Sequence, residues 1–463
     1  MTVKLTKSLS ATCLNSAAGA AIAMLYCSAA SAQAPLPSPE EMWAIIQEQS
    51  RILAEQRGEI DALKSELGMV QANQEETENS VAEVQEAASQ AQAAAVEAQL
   101  AAVDAATNPP GLDPLSQPAD GAAGGWWDRT SLGGYGELHY QGGPVDRLDL
   151  HRFVVFLGHE FTNDIRFFSE LEVEHALAGD GAPGEVELEQ AYIQLDLSDQ
   201  HRINAGLQLV PVGILNPTHE PPTFFGVERN PIESNIIPTT WWEGGVGLGG
   251  NFGMSGISYD LLASSGLDVP TTGDNAFRVR NGRQKVANAT AKSPALTGRI
   301  RYTGIPGLEL AASGHYEFDV TQSSGDPITG SKVPAFLFTT HADARFGGFG
   351  LRALYASWWI DGMGASAIGR DRQTGFYLEP SYRFPFEAMR IGGEPGEAGL
   401  FYRYSSWDNN AGMSALDLGI DQHVFGINYW PHPNVVFKLD YLMDRPHSGA
   451  DSNRVDAGIG YQF

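Results

Sequence analysis

From about residue 131 to the final Phe463, apolar and polar side chains alternate at period two, in stretches of roughly ten residues bounded by Gly, Pro, Asn and Asp. Sixteen strands are predicted, near 131–141, 147–161, 165–176, 186–198, 202–212, 241–252, 255–265, 295–303, 308–319, 335–346, 349–360, 373–384, 398–406, 421–430, 435–443 and 453–463. The connections alternate in length. Thr162-Asn163-Asp164, Asp199-Gln200-His201 and Gly347-Gly348 are tight, whereas 213–240, 266–294 and 320–334 are long. A soluble sandwich has no reason to segregate loop length in this way. A bilayer-spanning barrel with turns on one side and loops on the other does, and strands of about ten residues tilted about 45° match the bilayer. The connection 385–396 is the exception, because it should be a turn and reads as long.

The chemistry of the alternation fits the same class. In the last stretch Val455, Ala457, Ile459, Tyr461 and Phe463 share one face, while Arg454, Asp456 and Gln462 share the other. Apolar residues can meet lipid only if the polar ones meet water inside. Tyr382, Phe384, Tyr402, Tyr404, Tyr429 and Trp430 lie near strand ends and are expected in interfacial girdles. Beyond the first thirty residues no long uncharged apolar run occurs, so a helical membrane protein is excluded and any spanning structure must be a closed barrel.

The remainder of the chain divides at composition shifts. Lys4 and Lys7 precede an uncharged stretch, Ser8 to Ala30, and then Ala30-Ser31-Ala32, so residues 1–32 are expected to be a signal peptide. Both cysteines, Cys13 and Cys27, fall inside it, which leaves the mature chain without a thiol, a disulfide or a thiolate metal site. Residues 33–106 carry a seam at alternating spacings of four and three, including Met42, Ile46, Leu53, Ile60, Leu63, Leu67 and Val70 before it becomes Ala-rich. Such a seam specifies a periplasmic α-helical coiled coil that must find copies of itself; a lone solvated helix is the other reading. Residues 107–125 are a Pro/Gly-rich linker, and 126–463 form the outer-membrane β-barrel. The net charge of −27 repels nucleic acid, so no nucleic-acid partner is expected.

A terminal aromatic on an alternating strand, Gly460-Tyr461-Gln462-Phe463, resembles the signal read by the barrel assembly machinery. Together with Thr223-Phe224-Phe225-Gly226-Val227-Glu228-Arg229-Asn230 and Trp241-Trp242-Glu243-Gly244-Gly245-Val246-Gly247, the layout resembles the porin O/P family, the phosphate-selective porins and their relatives. The resemblance implies a homotrimer in outer-membrane lipid, whose third loop folds inward to narrow the pore. Phosphate selectivity is not carried over. The family's phosphate members use ladders of Arg and a cluster of Lys, whereas 213–240 holds one Arg, Arg229, against Glu220, Glu228 and Glu233, and no Lys.

That loop is rich in proline, with Pro217, Pro221, Pro222, Pro231 and Pro238, and too apolar for water, with Phe224, Phe225, Ile232, Ile236 and Ile237. It is expected to pack against the barrel wall as the constriction, with Glu220, Phe224, Phe225, Glu228, Arg229 and Glu233 at its narrowest part; packing on a neighbouring subunit is the alternative. By parity, Glu170, Glu172, Glu174, Glu187 and Glu189 line one side of the pore, and Arg299, Arg301, Arg345, Arg352, Arg383 and Arg403 the other. Opposed walls would set a transverse field. Glu309, Glu317, Asp343 and Glu379 on the basic side favour simple pairing instead, and one bulge would reverse the parity.

The expected function is passive diffusion of small hydrophilic or charged solutes. A tether from outer membrane to peptidoglycan is the alternative, since about sixty helical residues reach about 90 Å. No nucleophile motif, metal-ligand spacing or cofactor site is evident. His151, His159, His175 and His315 read as lumen or loop residues, and no enzymatic activity is expected.

Overall fold

A computed structural model describes residues 126–463, except 144–145, 392–393 and 413–416, together with scattered positions between 39 and 64. Those scattered positions are helical and exposed, and none falls on the predicted seam. The seam, the expected signal peptide and the linker lie outside the described residues.

The described chain is one antiparallel sheet of sixteen strands: β1 Thr130–Gln141, β2 Arg147–Glu160, β3 Ile165–Glu174, β4 Val186–Ser198, β5 His201–Leu209, β6 Trp242–Asn251, β7 Ile257–Ser264, β8 Ala295–Ile305, β9 Leu308–Glu317, β10 Ala335–Phe346, β11 Phe349–Ile360, β12 Arg372–Ile391, β13 Glu394–Asp408, β14 Ile420–His432, β15 Val435–Pro446 and β16 Ser452–Gln462. Each strand pairs with its sequence neighbours, and β1 pairs with β16, so the sheet is a closed barrel. Closure leaves no edge strand, which is the condition for crossing hydrocarbon with strands.

Closure ends on Phe463. Its N–H donates to the Gly134 carbonyl at 2.8 Å, and the Gly134 N–H donates back to the Phe463 carbonyl at 2.9 Å. Gly134 is required by close approach, because a Cβ there would lie 2.2 Å from the Val154 carbonyl oxygen.

The pleat sorts side chains between two environments. Leu132, Leu157, Leu171, Val246, Ile300, Phe349, Leu400, Phe437, Leu439, Val455 and Ile459 are exposed on the outside. Glu137, Arg152, Glu170, Arg301, Glu379, Arg403, Lys438, Asp440 and Asp456 are buried inside. A belt of exposed apolar side chains running round a closed barrel requires hydrocarbon around it.

Two expectations are corrected. The stretch 385–396 is not a long connection: β12 and β13 continue through it, pairing Pro385 with Glu397 and Ile391 with Glu394, with a bulge between Phe386 and Arg390. The bulge hides the alternation, which is why the stretch reads as loop. Trp430 is not in a girdle. It points inward and is buried, its indole N–H donating to the Pro222 carbonyl at 3.2 Å.

Candidate functional site

The long connection between β5 and β6 turns into the barrel and is buried there. Phe224, Phe225, Val227, Ile232, Ile236 and Ile237 are each at most 5% exposed, and each large apolar side chain buried this way contributes roughly 1.5–3 kcal/mol. Each of its five prolines lacks an N–H, so the loop carries more carbonyls than donors to satisfy them. The lumen supplies the donors. Arg152 of β2 donates to the His219 carbonyl (2.7 Å), Arg352 of β11 to Thr223 (3.0 Å), and Trp358 of β11 to Ile236 (2.9 Å). Arg403 of β13 reaches Phe225 and Glu228 (both 3.3 Å), and Asn428 of β14 reaches Phe224 (3.3 Å). Asp440 of β15 accepts the Val227 N–H at 2.7 Å. A single loop is therefore held from both sides of the barrel and stretches across its lumen.

The six loop residues singled out from the sequence take different roles. Phe224 and Phe225 pack on the wall, Phe224 under the Lys438 ammonium at 3.6 Å and Phe225 against Phe401 and Trp430. Glu228 meets His139 and Gln141 of β1, at 3.1 and 2.7 Å. Glu233 is fully buried; its carboxylate accepts the N–H groups of Ile214 and Leu215 (both 2.6 Å), the Asn230 amide (2.9 Å) and the Tyr377 hydroxyl (3.2 Å), so it clamps the loop rather than charging a passage. Glu220 is buried, and half-buried Arg229 donates to Thr240 at 2.9 Å.

The predicted basic wall is paired throughout. Arg299 meets Asp260 (2.8 Å), Arg301 meets Glu309 (3.8 Å), Arg345 and Arg352 both meet Asp343 (3.5 and 2.8 Å), Arg383 meets Glu397 (3.3 Å) and Arg403 meets Glu379 (3.1 Å). Such pairs solvate a polar interior and cancel at a distance. The acids of β3 and β4 are less evenly matched. Glu187 takes Lys285, Glu189 faces His219 at 3.3 Å, and Glu170 accepts from Tyr135 (3.3 Å) and Gln190 (2.6 Å). Glu172 is buried, and Glu174 is half-buried at the end of β3. A bulge between Glu170 and Leu171 lets Glu187, Glu189 and then Gln190 and Tyr192 all face inward.

Sequence reasoning missed the second loop that enters. In the connection 265–294, Leu267, Val269, Phe277 and Val279 join the apolar cluster with Ile232 and Trp241. Arg280 donates to the Ser234 and Thr239 carbonyls (2.5 and 3.0 Å), and Arg283 to the Thr240 carbonyl. Arg229, Arg278, Arg280 and Arg283 form no ion pair among the described residues, and Arg229, Arg280 and Arg283 leave cationic charge beside the β3–β4 acids. The repeat Arg278-Val279-Arg280-Asn281-Gly282-Arg283 was the available signal. Spacing in sequence also showed no metal set, yet the fold brings together His139, His151 and Glu228, and separately Glu170, Glu189 and His219.

Cavities lie beside the loop. One cavity of about 140 Å³ is lined by Glu170, Tyr192, Arg202, His219, Asp260 and Arg299 among others, and one of about 230 Å³ by Asp343, Arg345, Arg352, Glu379 and Arg383.

No family model matches the sequence. An uncharacterized protein of Aquifex aeolicus (strain VF5) is 31% identical over 359 residues, covering 72% of this chain and 80% of the relative. Similar solved structures include an anion-selective porin from Comamonas acidovorans, at 15% identity and a TM-score of 0.49, covering 72% of this chain and 99% of the other. Salmonella typhi OmpF in complex with daunomycin shows 15% identity, coverage of 72% and 98%, and a TM-score of 0.49. The outer membrane channel DcaP of Acinetobacter baumannii shows 12% identity, coverage of 72% and 97%, and a TM-score of 0.49. Likeness at these scores carries no weight on function.

Proposed function

We propose, for a chain that belongs to the same family as the Aquifex aeolicus protein, that it is an outer-membrane porin: a passive channel for small hydrophilic or charged solutes, narrowed by residues 213–240. The observation that carries this reading is the closed sixteen-stranded barrel, apolar outside and charged inside, with one proline-rich loop hydrogen-bonded across it. An enzyme would need a nucleophile held by a base. The buried lumen histidine His315 instead sits between Thr297 at 2.8 Å and Glu317 at 2.9 Å, among Trp241 and Trp358, and the reading assigns no catalysis.

Within the same proposal, the resemblance to the porin O/P family is kept for layout and not for phosphate. Residues 33–106 serve as a coiled-coil clamp for a homotrimer, and Phe463 is read by the assembly machinery. A loop hydrogen-bonded across the lumen predicts a strict size limit. Proteoliposome swelling tests it: the reading expects entry of pentoses and small organic acids and exclusion of trisaccharides. Liposomes that swell no faster than protein-free ones would contradict it.

A further inference from the structure

We infer that Glu170, Glu189 and His219 form a binding site for a divalent transition cation of zinc's type, which ties the lumen loop to the acidic wall. Glu170 comes from β3, Glu189 from β4 and His219 from the loop, so only the folded barrel assembles the set. All three side chains are at most 4% exposed. His219 Nε2 lies 3.5 Å from Glu170 Oε1 and 3.3 Å from Glu189 Oε2. Ligand atoms about 2.1 Å from a tetrahedral metal are about 3.4 Å apart, so these separations are the edges of such a site.

The hydrogen bonding favours a metal over a simple ion pair. His219 Nδ1 contacts the Asn216 carbonyl at 3.3 Å, and a carbonyl can only accept, so Nδ1 carries the proton. In the neutral ring Nε2 then presents a lone pair toward two carboxylates. An imidazolium would relieve that by donating to one of them, but neither His219 Nε2 nor Glu189 Oε2 has a hydrogen-bond partner among the described residues. Two carboxylates and one imidazole nitrogen face one gap at ion-pair distance without meeting hydrogen-bond geometry, and a cation between them satisfies all three.

The surroundings agree. Tyr135 and Gln190 orient Glu170 from outside the site, as second-sphere groups do around metal-bound carboxylates. A neighbouring guanidinium, Arg152, is already committed to Glu137 at 2.6 Å, the Tyr135 hydroxyl at 3.1 Å and the His219 carbonyl at 2.7 Å. Glu172 and Glu220 add further buried carboxylate oxygens without hydrogen-bond partners among the described residues. The cavity of about 140 Å³ touches Glu170 and His219, which gives solvent a place as the remaining ligand.

The test uses the full chain, purified in detergent, equilibrated with zinc chloride, dialysed and analysed for metal by mass spectrometry. Folding of each sample is checked by its heat-modifiable migration. A zinc ion is expected in the wild type and in His139→Gln, which disables the other histidine cluster, and is expected to be lost in both Glu189→Gln and His219→Gln. Should His219→Gln not fold, the near-isosteric Glu189→Gln decides. Wild-type protein that retains no zinc, or a folded Glu189→Gln or His219→Gln that retains it in full, would overturn the assignment.

Discussion

Glu233 is the residue on which the lumen loop most depends. Four donors converge on its buried carboxylate, and a buried donor left without its partner costs roughly 1–3 kcal/mol. Removing a buried acceptor leaves its donors unsatisfied, so Glu233→Ala is expected to destabilise the loop by on the order of 3 kcal/mol. Limited proteolysis followed by mass spectrometry should then find cuts between 213 and 240 that the wild type resists. Charge selectivity is governed by different residues. Because Arg299 is paired with Asp260, the double change Arg299→Gln with Asp260→Asn should leave the reversal potential in a salt gradient unchanged. Arg229→Gln with Arg283→Gln removes cations that lack a carboxylate partner and should shift that potential toward cation preference. A third residue-scale expectation concerns pH. His447, in the connection between β15 and β16, lies 2.5 Å from Asp417 and 3.2 Å from Asp421, and hydrogen bonds to both raise its pKa above the ordinary histidine value. Stabilisation by a raised base is complete below the unfolded value and is lost as pH climbs through the folded one. The links from His447 to Asp417, in the connection between β13 and β14, and to Asp421 of β14 should therefore hold at about pH 6 and open on the alkaline side. Hydrogen exchange across 445–452, compared at the two pH values and corrected for intrinsic rate, measures it.

At the scale of elements, closure is the sensitive step. Gly134→Leu would press a side chain against the Val154 carbonyl, with Phe463 Cζ only 3.0 Å from the new Cβ. Deleting Phe463 removes both backbone hydrogen bonds to Gly134. Both changes should lower the fraction of heat-modifiable, folded barrel recovered on refolding, and full recovery would count against closure at this seam. The strands themselves were legible because period two reports directly on two solvents, lipid and water, either side of one wall. Val435, Phe437, Leu439 and Tyr441 opposite Lys438 and Asp440 illustrate how little else is needed. Legibility failed where the wall is interrupted: at the β12–β13 bulge, and at Trp430, an aromatic near a strand end that faces a loop rather than a lipid headgroup. The lumen loop could be singled out from proline and isoleucine content, but its partners could not. Arg152, Arg352 and Arg403 are inward arginines like any others until the carbonyls they bind are in place. His219, likewise, is one histidine in a loop until β3 and β4 bring carboxylates beside it.

For the whole molecule, the account makes the barrel a frame and the loop its restriction. The wall is closed, and what crosses the lumen among the described residues is 213–240 with 265–294 packed on it. The most direct test is single-channel conductance in planar bilayers, comparing the wild type with a chain lacking residues 219–236. The account predicts a small conductance for the wild type and a several-fold larger one for the deletion, with both proteins equally heat-modifiable. An unchanged conductance in a correctly folded deletion would contradict it.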